Sequence, residues 1–219
     1  MKLFISCAEP SGDIIASEVL STFQKYLPSF SIDGIGGENS KQQGLISLFP
    51  MSDLTVHGLT EVIPKALQIL KRIRQTADHI IATQPDLVIT IDAFDFHIRV
   101  IKRLRKKGFK GKIVHLVAPA VWAWGGGRAA KLMRYYDALY CLLPFEPAYF
   151  QKIGFKSVFV GNPVLSRFST NSHASTLNFC TQHNIATNAF VITVLPGSRD
   201  YEVKRLLDEF LKSIELLHK

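Results

Sequence analysis

Cysteine is scarce in this sequence, acid is missing from a long central interval, and no apolar run is long. Cys7, Cys141 and Cys180 are its only three cysteines and stand far apart. That is not the dense disulfide framework of a small secreted domain. Buried free thiols in a reducing cytosol are the expected state. No apolar stretch reaches the ~20 residues that a bilayer-spanning helix needs. Lys2 leads straight into a short apolar run, so no secretory leader is expected. The seven histidines show no metal-ligand spacing, and neither a metal nor another cofactor is expected. Between Asp95 and Asp137 there is no acidic residue at all, while the interval carries Arg99, Lys102, Arg103, Arg105, Lys106, Lys107, Lys110, Lys112, Arg128, Lys131 and Arg134. Part of this is a solvated helix face. A one-signed field of this length, on a chain of net charge +8, favours anionic partners such as lipid headgroups and sugar phosphates. It comes without interleaved aromatics or a recognition-helix pattern, so nucleic acid is not the expected partner.

What is present is a repeated pattern of short apolar runs, glycine- or proline-marked turns and amphipathic stretches. It predicts an α/β fold, a parallel sheet with helices on both faces. The central run is Leu87 to Ile91, continuous and β-branched, as a strand buried on both sides reads. It breaks into Asp92 and Asp95, past the carboxyl end of the strand, where open α/β sheets bind ligands. Asp92 is placed to stay ionised, face a cleft and take a proton. Asp95 fits either a second carboxylate in that cleft or the cap of the next helix, expected over Phe96 to Lys107.

Around this centre the strands are expected at Leu3 to Ser6, Ser31 to Ile35, Leu45 to Phe49, Lys112 to Val117, Ala138 to Leu143, Ser157 to Val160 and Phe190 to Leu195. The turn Ala8 to Asp13 precedes a helix opening at Ile14. It either holds sugar hydroxyls or shapes the cleft, or is an ordinary capped strand-to-helix turn with Asp13 at the cap. Gly34, Gly36 and Gly37 make half of a dinucleotide fingerprint, weak evidence for any nucleotide. A helix from about Pro64 has the stripe Leu67, Leu70, Ile73, Ala77 and Ile80. Its basic face, with Lys65, Lys71, Arg72 and Arg74, suits an anionic membrane surface or an ordinary solvated exterior. Trp122 and Trp124 are two apart and share a face in extended backbone. They suit sugar rings and acyl chains, or the core. Ser, Thr and Asn crowd residues 169–175 and mark a boundary. Beyond it, Gly197, Ser198 and Arg199 turn into a helix, where backbone N–H groups and a permanent cation suit phosphate.

In this order the turns resemble the lipid A disaccharide synthase family of glycosyltransferases. The resemblance runs through AEPSGD at Ala8 to Asp13, HGLTEV at His57 to Val62, IDAFDF at Ile91 to Phe96 and APAVWAW at Ala118 to Trp124. It continues through LPFE at Leu143 to Glu146, GNP at Gly161 to Pro163, and LPGSR at Leu195 to Arg199, with Glu202 shortly after. The sequence departs from the family pattern at Ala8 (usually Gly), Phe94 (usually Pro), Gly125 (usually Arg) and Asn162 (often His).

The resemblance implies two Rossmann-like domains facing across a cleft, as in GT-B glycosyltransferases. Residues 1–168 would form the acceptor domain and 169–188 the linker. Residues 189–219 would begin a donor domain, most of which lies beyond the sequence. It implies transfer of 2,3-diacylglucosamine from UDP-2,3-diacylglucosamine to 2,3-diacylglucosamine 1-phosphate (lipid X), with inversion, giving the β-1,6 disaccharide and UDP. Asp92 would be the base. Glu9, Ser11, Gly12, Asp13, Asp95, Trp122, Trp124, Arg128 and Asn162 would serve the acceptor, and Gly197, Ser198, Arg199 and Glu202 the UDP phosphates. The expected place is the cytoplasmic face of the inner membrane, held peripherally. The 219 residues alone are expected to be inactive unless a separate chain supplies the rest. The alternative is a non-catalytic domain that binds acylated sugar phosphates or anionic membrane. A third reading is another two-domain sugar-nucleotide enzyme, such as an epimerase or a peptidoglycan glycosyltransferase.

Overall fold

Leu87–Ile91 forms a central strand, with Val88, Ile89, Thr90 and Ile91 all buried. The computed structural model describes residues 1–54, 62–120, 133–163, 165, 172–186, 188–197 and 200–217. Its elements are β1 (Lys2–Cys7), α1 (Pro10–Tyr26), β2 (Ser31–Ile35), α2 (Glu38–Gln42), a 3₁₀ turn (Met51–Leu54), α3 (Val62–Thr83), β3 (Leu87–Ile91) and α4 (Phe94–Lys106). They continue with β4 (Lys112–Leu116), β5 (Ala138–Cys141), α5 (Glu146–Lys152), β6 (Ser157–Phe159), α6 (Ser172–Gln182) and α7 (Asp200–Leu217). The six strands pair in parallel in the order β2-β1-β3-β4-β5-β6. The chain runs one way from β1 to β2 and the other from β3 onward. The β1/β3 boundary is therefore the switch point, where the crossovers diverge and leave a crevice.

Strand alternation divides the core in two. Phe4, Val88, Ile113 and Leu139 face the layer that holds Ile80, Ile101 and Leu104 of α3 and α4. Ile5, Ile89 and Val114 face Ile15, Ala16 and Leu20 of α1. Arg105 locks α4 to its neighbours. Its guanidinium donates to the carbonyls of Tyr135, Phe109 and Gly111 and to the Asp137 carboxylate, at 2.9–3.2 Å. One cation of the acid-free interval is thus structural.

The chain divides into two compact units, a larger one holding residues 1–54 and 62–163 and a smaller one holding α6 and α7. Several expectations need correction. α1 opens at Pro10 rather than Ile14, because proline at the first helical position loses nothing by lacking an N–H. Leu45 to Phe49 forms a single bridge, Gly34 to Ser47, rather than a strand. Leu45 and Phe49 are buried, but the segment stops there as a plug. In the smaller unit 190–195 joins no sheet, and Phe190 and Leu195 are 91% and 82% exposed. A strand of this kind exists only beside another strand, and no described residue pairs with it. The α3 stripe is buried only at Ile73, Ala77 and Ile80, while Leu67 and Leu70 are exposed.

Candidate functional site

β1 and β3 end side by side at the switch point, with Cys7 paired to Ile91. The segments that leave the two strand ends therefore meet. β1 delivers Glu9, the residue before α1, and β3 delivers Asp92. Asp92 and Ala93 have φ of 56° and 39°, two successive non-glycine residues in the left-handed region. Such a turn costs free energy and persists where surrounding contacts over-determine it. Here the Asp92 N–H donates to the Leu116 carbonyl at 3.1 Å, and the His97 ring holds the Asp92 carbonyl at 2.8 Å. The carboxylate is directed too. Oδ1 accepts from the Ala93 N–H at 2.8 Å and Oδ2 from Ser11 Oγ at 3.3 Å.

Beside it lies a cavity of about 460 Å³. Three acids line it, Glu9, Asp92 and Asp95, with one cation, Arg99, and an apolar wall that includes Leu54, Ile69 and Phe94. The N-cap of α4 is Ala93, and no side chain caps it, so Asp95 is not the helix cap. Carboxylates able to accept from hydroxyls, a cation and an apolar wall suit a polyhydroxylated ligand with a greasy part. Arg99 comes from α4, four residues after Asp95 and hence on the same helix face.

Asp13 is 2% exposed and turned away from this cavity. Its carboxylate accepts from the N–H groups of Gly37, Asn39 and Ser40 at 2.8–3.1 Å, from Asn39 Nδ2 at 3.0 Å and from Ser40 Oγ at 2.5 Å. Asp13 lies inside α1, whose N-cap is Glu9, so it is not the helix cap that the sequence also allowed. Burial pushes its carboxyl up, but the Ser40, Asn39 and Gly37 donors outweigh burial and hold it below the ordinary range. The glycines nearby have packing reasons. A Cβ on Gly12 would meet Cys7 Cβ at 3.1 Å and Asp92 Cβ at 3.5 Å, so a bare Gly12 lets α1 lie against the Asp92 turn. A Cβ on Gly37 would meet Asp13 Oδ2 at 2.7 Å. The half fingerprint at Gly34, Gly36 and Gly37 therefore serves close approach.

Asn162 stands on the loop after β6 and does not line the cavity. In the smaller unit, Gly197 has φ of 126°, and a Cβ there would meet Glu202 Cβ at 2.5 Å, so these two residues are neighbours. Trp122, Trp124, Arg128, Ser198 and Arg199 lie outside the described residues. Sequence reasoning did not single out His97 or Arg99 for the site. The available signal for His97 was its place as the polar member among Phe96, Ile98, Val100 and Ile101. For Arg99 it was the spacing from Asp95.

A family model described as lipid-A-disaccharide synthetase matches residues 3–219. The chain belongs to this family. Among curated relatives, the lipid-A-disaccharide synthase of Rhodospirillum centenum is 42% identical over 98% of this chain and 53% of its own length. That of Paramagnetospirillum magneticum is 39% identical over 99% of the chain and 55% of its own. The lipid-A-disaccharide synthase family member described here thus spans about half the length of the curated relatives it matches. Among solved structures, the UDP-GlcNAc 2-epimerase of Methanocaldococcus jannaschii, in complex with UDP-GlcNAc and UDP, superimposes with a TM-score of 0.57 at 13% identity. That match covers 83% of this chain and 54% of the epimerase. The Neisseria meningitidis UDP-GlcNAc 2-epimerase gives 0.53 at 8% identity over 86% and 54%. At such identities the likeness concerns the fold, and it bears out the Rossmann-like sheet.

Proposed function

We propose that this chain carries the acceptor half of a lipid A disaccharide synthase reaction, with Asp92 as the general base. The observation that supports it is the Asp92 carboxylate, directed at both oxygens and facing a cavity with Glu9, Asp95 and Arg99, in a chain of this family. The acceptor is 2,3-diacylglucosamine 1-phosphate and the donor UDP-2,3-diacylglucosamine. Asp92 takes the proton of the acceptor hydroxyl, whose oxygen forms the new bond to the donor anomeric carbon. The bond from that carbon to the UDP oxygen breaks on the opposite face, and its electron pair leaves on UDP. The configuration therefore inverts. Glu9 and Asp95 accept from sugar hydroxyls, and Trp122, Trp124 and Arg128 extend the acceptor site. Asn162 serves the same acceptor, and Gly197, Ser198, Arg199 and Glu202 serve the donor diphosphate. No described helix is long and apolar enough to cross a membrane. Peripheral attachment to the anionic cytoplasmic surface fits the exposed Arg99, Lys102 and Lys106 of α4 and the exposed Leu67 and Leu70 of α3.

A second reading is favoured by the unpaired, exposed segment 190–195. In it, these 219 residues hold the acylated sugar phosphate, and turnover needs further chain, in the same polypeptide or a separate one. UDP release from the two acylated sugars tests both readings. In a preparation that turns over, Asp92→Asn is expected to lower the rate about 10²–10⁴-fold. A variant keeping more than about a tenth of the wild-type rate would remove Asp92 from the role of base.

A further inference from the structure

His97 stands in the first turn of α4 and is 1% exposed. Its ring makes two hydrogen bonds of 2.8 Å, one from Nδ1 to the backbone carbonyl of Asp92 and one between Nε2 and Oγ of Ser6 on β1. The two partners differ in kind. A carbonyl oxygen only accepts, so the first contact requires a proton on Nδ1. Burial lowers the His97 pKa to about 4, so the ring is neutral at pH 7 and has one proton to place. That proton is on Nδ1. Nε2 then offers a lone pair, and the Ser6 hydroxyl, itself 1% exposed, donates to it.

The backbone held in this way is the least relaxed in the site. Asp92 and Ala93 both have positive φ without being glycine. Freed of restraint, such a pair relaxes to negative φ and turns the Asp92 side chain with it. β4 fixes one end of the pair, through the bond from the Asp92 N–H to the Leu116 carbonyl. The His97 ring holds the carbonyl between the two residues, and the Ala93 carbonyl accepts from the backbone N–H groups of Phe96 and His97 at 3.1 and 3.3 Å.

We propose that His97, fixed as the Nδ1–H tautomer by the Asp92 carbonyl and accepting from Ser6 at Nε2, is a positioning residue that holds the Asp92–Ala93 turn and so sets the direction of the Asp92 carboxylate. The proposal rests on the reading of Asp92 as the base. The side-chain nitrogen of asparagine falls near the position of Nδ1, and that of glutamine near Nε2. His97→Asn therefore keeps the bond to Asp92, and His97→Gln loses it.

Three measurements test the proposal. Nitrogen-15 spectra of the 219-residue chain at pH 7 are expected to show His97 with Nδ1 protonated and Nε2 bare. The opposite tautomer would overturn the proposal. Ser6→Ala, which removes the donor to Nε2 but leaves the Asp92 carbonyl in place, is expected to keep Nδ1 protonated, and a switch to the Nε2–H form would count equally against it.

In a preparation that releases UDP, His97→Gln is expected to lower kcat about 10–100-fold with KM changed less than about twofold, as a displaced reacting group does. His97→Asn is expected to stay within about threefold of wild type. Equal losses in the two variants, or a loss carried by KM, would sink the positioning role. Retained activity in Asp92→Asn would remove the base reading alone. The tautomer, together with the backbone couplings of residues 92 and 93 in the two His97 variants, would still decide whether His97 holds the turn.

Discussion

Asp13 shows how a single carboxylate serves a site without facing it. It gathers three backbone N–H groups, an amide and a hydroxyl from the start of α2, and so ties α1 to the end of β2 beside the cavity. Its donors hold the folded-state pKa below the ordinary value of 3.8. The stability it contributes is therefore fully present above about pH 3.8 and is lost as pH falls from there through the lowered folded-state value. Asp13→Asn places an amide against donors and is expected to cost about 2 kcal/mol or more at pH 7. Urea unfolding of wild type and variant from pH 7 down to pH 3 checks this. The gap between them is expected to shrink at the acid end, and a constant gap would mean that the charge is not what matters. Cys7, beneath Asp13, behaves oppositely. Burial first, and the Asp13 charge second, push its thiol up to about 12, so it stays a neutral core residue.

At the scale of elements, Gly34 sets how closely β2 lies on β1. A Cβ there would sit 1.9 Å from the Ile5 carbonyl oxygen, a backbone atom of the paired strand that cannot swing aside, and 2.9 Å from Leu45. Gly34→Ala is expected to destabilise the larger unit by at least about 4 kcal/mol, measured by thermal or denaturant unfolding. A loss under about 1 kcal/mol would show that the pair separates freely. The same element shows what the sequence could and could not convey. β3 and its Asp92 were legible, because an apolar run buried on both faces leaves an unmistakable stretch that ends in acid. The start of α1 was not. Ser11, Gly12 and Asp13 look like turn residues until β3 is known to deliver Asp92 against Gly12 and until α2 is known to offer its donors to Asp13. The glycines of 34–37 read as half a nucleotide motif, because spacing alone does not separate close packing from close ligand approach. The segment 190–195 has the composition of a strand, yet pairing is a property of two segments, and one sequence run shows only its own half. Arg105 and Arg99 looked alike in the basic interval. Only the fold reveals that one is spent on carbonyls and the other lines the cavity.

At the scale of the whole molecule, the charge of +8 is not spread evenly. α3 packs on α4, and the larger unit presents exposed Arg99, Lys102 and Lys106 on α4 and Arg74 on α3. Vesicles containing anionic lipid are expected to sediment the protein at low salt and release it at high salt, since each basic residue near such a surface is worth on the order of 1 kcal/mol. Equal binding to neutral and anionic vesicles would leave the exposed Leu67 and Leu70, rather than charge, to explain any attachment. The parallel sheet also bears on the order in which this protein can be made. Among the described residues every strand pairing is parallel, so none is a hairpin. Leu3 finds its β3 partner only at Leu87, so at the pace of synthesis the first strand waits on the order of ten seconds for the second wall of the crevice. Asp92 and Glu9 meet only after that delay. Until then β1 exposes one unpaired apolar edge, and the nascent chain depends on α1 and β2 to keep that edge from joining another molecule.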